Sequence, residues 1–91
     1  MDAGISLRAL SGLGPKSQAM LANAGITSLT QLRELGAVQA YLRVRASNSQ
    51  ASLNLLWALE GALSNLPWQQ VAREQRSSLL LALDAAQHLA D

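Results

Sequence analysis

The stretch Leu10-Ser-Gly-Leu-Gly-Pro-Lys-Ser17 constrains this chain most, because it reads as a tight turn that stops one helix and starts the next. Gly12 and Gly14 permit positive φ and let the main chain come close to whatever lies outside the turn. Pro15 suits the first position of a helix, where its missing amide hydrogen is not needed. The reading is a helix-hairpin-helix. Such a turn aims the amides of a helix N-terminus at solvent, a site suited to phosphate, with Lys16 beside it as a mobile positive charge and Ser17 in the same first turn. Two readings follow from one copy of the motif: a contact with nucleic-acid phosphate, or a connector between packed helices. In either case Gly12 or Gly14 is expected to hold a conformation that other residues resist.

The rest of the chain continues the helical theme. Leucine and alanine dominate, phenylalanine is absent, and no window alternates β-branched or aromatic residues as a strand would. Ser6 can cap a short helix through Leu10. A second helix runs from about Pro15 to Asn23, with Ala19, Met20 and Ala24 or Asn23 on one face, and Gly25 closes it as a left-handed residue. Thr27 or Ser28 caps a third helix with Leu29, Leu32 and Leu35 in a narrow buried stripe, ended by Gly36. A fourth, from Ala37 to about Ala46, puts Val38, Tyr41 and Leu42 inward and Gln39 and Arg43 outward. Ser47-Asn-Ser-Gln-Ala-Ser52 is small and polar, a loop and the expected mobile segment.

Leu53 to Leu63 is apolar around most of its circumference, the pattern of a helix surrounded by others. Gly61 lowers the helix propensity there by about 1 kcal/mol, which suggests that another backbone crosses close by. Glu60 is the odd residue in that helix. It is expected to be buried and satisfied by backbone amides or an arginine, with a catalytic carboxylate as the sharper alternative. After Pro67-Trp68 a single last helix, about Val71 to Leu89, presents Ala72, Leu79, Leu83 and Ala86 on one face. Leu80 and Leu81 widen it, and the core is expected to absorb them, the alternative being a surface for a partner or a second copy.

With 91 residues the chain is expected to form one all-α domain, residues 1–91, in a compact bundle of five to six short helices. The absence of cysteine excludes disulfides, thiolate metal sites and cysteine nucleophiles. His88 is the only histidine, near the C-terminus, with Asp84 one turn before it on the same helix. The glycine–lysine spacing is too short for a nucleotide-hydrolase phosphate loop and follows no strand. No pocket for a flipped base is suggested. The sequence therefore predicts a non-enzyme without cofactor or metal. No apolar run reaches the roughly 18 residues of a membrane span and no signal peptide is evident, so a cytoplasmic protein with no membrane partner is expected.

Charge is uneven along the chain. Residues 1–46 carry Arg8, Lys16, Arg33, Arg43 and Arg45 against Asp2 and Glu34, a net of +3. Residues 47–91 carry Arg73 and Arg76 against Glu60, Glu74, Asp84 and Asp91, a net of −2. The hairpin half is the basic half.

Leu10–Ser17, Ala24-Gly-Ile-Thr-Ser28, Leu32-Arg-Glu-Leu-Gly-Ala-Val-Gln-Ala-Tyr-Leu42, Ser52-Leu-Asn-Leu-Leu-Trp-Ala-Leu-Glu-Gly-Ala-Leu63 and Pro67-Trp68 together resemble the C-terminal domain of the TfoX/Sxy family of bacterial competence regulators. The resemblance covers nearly the whole chain. It implies a small helical regulatory domain without catalytic residues, part of a protein that promotes transcription of DNA-uptake genes alongside the cyclic-AMP receptor protein. Two-domain members carry a separate N-terminal domain, whereas this sequence opens almost directly on the hairpin.

The residues themselves qualify the DNA contact. The candidate phosphate set is Gly12, Gly14, Lys16 and Ser17 with Arg8, Arg43 and Arg45. The second turn, Leu35-Gly-Ala-Val38, has one glycine and no adjacent lysine. So few phosphate contacts predict weak, salt-sensitive and sequence-independent binding, with no residue set for reading bases. The competing expectation is a protein-interaction module in which the hairpin is structural. Tyr41 is expected in the core rather than as a stacking platform.

Overall fold

The computed structural model describes residues 13–47 and 51–90, the side chains of 89 and 90 excepted, and these residues fold into five helices. They are α1 (Pro15–Asn23), α2 (Leu29–Ser47), α3 (Leu53–Ser64), α4 (Trp68–Glu74) and α5 (Arg76–Ala90). The all-α expectation holds. The expected Ser6–Leu10 helix, and with it the first arm of the hairpin, lies outside the described residues, as do positions 48–50 of the polar loop.

Helix α1 has the expected bounds and ends as the sequence indicates. Gly25 sits at φ 86°, and the Ile26 and Gly25 amides donate to the carbonyls of Leu21 and Ala22 at 2.8 and 3.0 Å. This pair of bonds satisfies carbonyls that a helix end would otherwise leave open, and Leu21 and Ile26 both join the core beside it. The buried face of α1 differs from the expected one. Leu21 is fully buried, Ala19 and Asn23 are exposed, and Met20 and Ala24 are half-buried. Four consecutive apolar residues, Ala19 to Ala22, give no period from which to choose the inward face.

Ser28 caps α2 as expected. Its Oγ accepts the Gln31 amide at 3.2 Å, while Gln31 Oε1 accepts the Ser28 and Thr27 amides at 3.1 and 2.8 Å. That is a reciprocal capping box, and Gln31 Nε2 also donates to the Gly25 carbonyl at 3.2 Å, tying the α1–α2 turn to the helix it starts. Gly36 interrupts α2 at φ 80°, ψ 164°, a region that is essentially glycine-only. Residues 29–35 and 37–47 are therefore two helical arms with a corner between them, in line with the two helices expected. Leu29 and Leu32 are buried from the first arm and Ala37, Ala40, Tyr41 and Val44 from the second.

Helix α3 is the central element. Leu55 through Leu59 and Gly61 are all buried, and the helix packs chiefly against α4 and α2. Asn65 adopts the left-handed conformation at φ 60°, and the Leu66 amide donates back to the Gly61 carbonyl at 2.9 Å. The chain thereby folds back over Gly61, where a Cβ would lie 2.6 Å from the Leu66 carbonyl oxygen. The close backbone approach expected from this glycine is present.

The expected last helix is two helices. Gln75, at φ −115°, ψ 7°, ends α4, and its carbonyl accepts the Leu79 amide at 2.9 Å at the start of α5. Val71 is buried from α4, and Leu79 and Leu83 from α5, so both helices turn a face to the core. Leu80 is half-buried, but Leu81 is 71% exposed, so the core does not absorb it.

Candidate nucleic-acid interface

The start of α1 carries the sequence-predicted site. Gly14 is the exposed N-cap and makes no side-chain cap; its carbonyl accepts the Gln18 amide at 3.0 Å, the first turn of the helix. Pro15 has no amide hydrogen, so the donors that α1 cannot satisfy internally at this end are those of Gly14, Lys16 and Ser17. Lys16 is exposed and Ser17 half-buried. Behind the turn, Leu13 is buried and its carbonyl accepts the Gln18 side chain at 2.9 Å, anchoring the segment to the core.

Of the two glycines offered for a special conformation here, Gly14 does not hold one. Gly14 is at φ −79°, ψ 175°, extended backbone open to any residue, and a Cβ there would meet nothing within 4 Å. Its glycine is required neither by backbone conformation nor by packing within the described residues. Among the described residues the glycines with positive φ are Gly25 and Gly36. Gly12 and Arg8 lie outside the described residues.

Arg43 is exposed, as expected, but it borders a different feature. With Glu34, Gln31, Leu35, Gly25 and Ile26 it lines an open hollow of about 210 Å³ beside the α1–α2 turn, next to the C-terminal end of α1 rather than its start. Arg45 is exposed in the last turn of α2. Of the candidate cations, the structure thus puts Lys16 alone within the first turn of α1.

Glu60 is corrected. It is half-buried, and its Oε2 accepts the Ser64 hydroxyl at 2.6 Å, one turn along the same helix. Among the described residues no backbone amide or arginine holds it. Position 60 lies at the edge of the apolar circumference, where a carboxylate keeps access to water and avoids the cost of burial. Among the described residues no polar or charged side chain is buried apart from Tyr41, whose hydroxyl donates to the Ala51 carbonyl at 3.5 Å. Tyr41 is a core residue, as expected.

His88 and Asp84 are both exposed on α5. Among the described residues no group of three or more metal-ligating side chains occurs, and no helix is long and apolar enough to cross a membrane. Trp68, which the sequence marks only within the family resemblance, is 39% exposed at the start of α4; it and Leu81 are the large apolar side chains exposed among the described residues.

These features define a class: a small all-α domain with one apolar core and its polar chemistry confined to helix ends and surface. The chain belongs to the TfoX C-terminal domain family, whose model matches residues 4–83. It is 35% identical over 78 residues to the DNA transformation protein TfoX of Haemophilus influenzae, a match covering 86% of this chain and 36% of that protein. The chain thus spans about a third of the length of that relative. Its fold is similar to the crystal structure of an uncharacterized protein from Listeria monocytogenes, at a TM-score of 0.77 and 26% identity over 90% of this chain and 93% of the other.

Proposed function

We propose that this domain is a non-enzymatic regulatory module in DNA uptake, acting through weak contact between the start of α1 and nucleic-acid phosphate. The observation that carries the reading is the exposed Gly14-Pro15-Lys16 helix start in a chain related to a DNA transformation protein. The Lys16 and Ser17 amides and the positive end of the α1 dipole attract an anion there, and the Lys16 ammonium adds charge. With one such site the contact is independent of base sequence, so target choice falls to a transcription-factor partner. The cyclic-AMP receptor protein is the candidate.

Fluorescence anisotropy of a labelled generic duplex tests the contact. Binding should be weak at low salt, and log K should fall against log salt with a slope of about −0.9 for each phosphate neutralised, so between about −1 and −3 for one to three contacts. Lys16→Glu should abolish binding without destabilising the fold, because Lys16 is exposed and a carboxylate suits the first turn of a helix. No binding by the wild type at low salt would overturn the reading.

The exposed Trp68 and Leu81 favour a second reading, a domain that works only through protein contact. Large side chains of this kind are common anchors of interfaces. In that case Lys16→Glu leaves function intact, and Leu81→Asp or Trp68→Ala removes it.

A further inference from the structure

We draw no further inference here: the strongest candidate, the open hollow beside the α1–α2 turn lined by Gly25, Ile26, Gln31, Glu34, Leu35 and Arg43, has the Gly25 and Ile26 amides and the Gln31 side chain already engaged within the turn itself, and nothing in the structure shows what covers it.

Discussion

At the scale of single residues, three glycines of the same type carry three different demands. Gly61 is required by space, Gly36 by backbone conformation, and Gly14 by neither within the described residues. Gly61→Ala pushes a Cβ against the Leu66 carbonyl, which is backbone and cannot swing aside, so α3 and the following turn must separate. A cost of about 1–3 kcal/mol is expected, as for other overpacked sites. Gly36→Ala meets no neighbour but must hold φ near 80°, and the expected cost is again about 1–3 kcal/mol. Thermal melts check both, since each kcal/mol moves the midpoint of a domain this size by about 4–8 °C. An unchanged melt for Gly61→Ala would contradict the close crossing. Glu60→Ala, by contrast, removes a hydrogen bond at a half-exposed position and should change stability by no more than about 0.5 kcal/mol. A larger loss would mean that Glu60 supports the core after all.

At the scale of elements, the α1–α2 connection is held by side-chain chemistry as well as by burial. Gln31 satisfies amides at the start of α2 and the Gly25 carbonyl at once, although the residue is exposed. Gln31→Ala should therefore cost about 1 kcal/mol, comparable to loss of a helix cap, and lower the urea midpoint with an unchanged slope. A midpoint equal to the wild type would show that the turn is held by Leu21 and Ile26 alone. The ends of α1, the corner of α2 and the all-round burial of α3 were legible because glycine, proline and unbroken leucine runs report directly on backbone conformation and burial. The break at Gln75 was not. No glycine or proline marks it, and Val71 and Leu79, eight residues apart, keep a spacing that one continuous helix also shows. The left-handed turn at Asn65 escaped for a related reason, since asparagine tolerates that conformation without announcing it. The candidate site was legible only in part: Lys16 is exposed at the helix start as expected, while Arg43 lies beside another turn because the corner at Gly36 sets where the second arm of α2 runs.

At the scale of the whole molecule, charge is unevenly placed along the chain. Helices α1 and α2 carry Lys16, Arg33, Arg43 and Arg45 against Glu34, a net of +3, whereas α3, α4 and α5 carry Glu60, Glu74 and Asp84 against Arg73 and Arg76, a net of −1, and α4 and α5 expose Trp68 and Leu81. An anion is accordingly drawn to α1 and α2 more than to the later helices. The most direct test of the central claim is an amide chemical-shift titration of the ¹⁵N-labelled domain with a short duplex at low salt. Shifts should concentrate at residues 13–18, disappear on modest addition of salt, and weaken in Gly14→Ser, whose hydroxyl would cap the same Lys16 and Ser17 amides that a phosphate needs. Shifts centred instead on α4 and α5, or none at all, would contradict a DNA-contacting helix start and leave it a connector between helices.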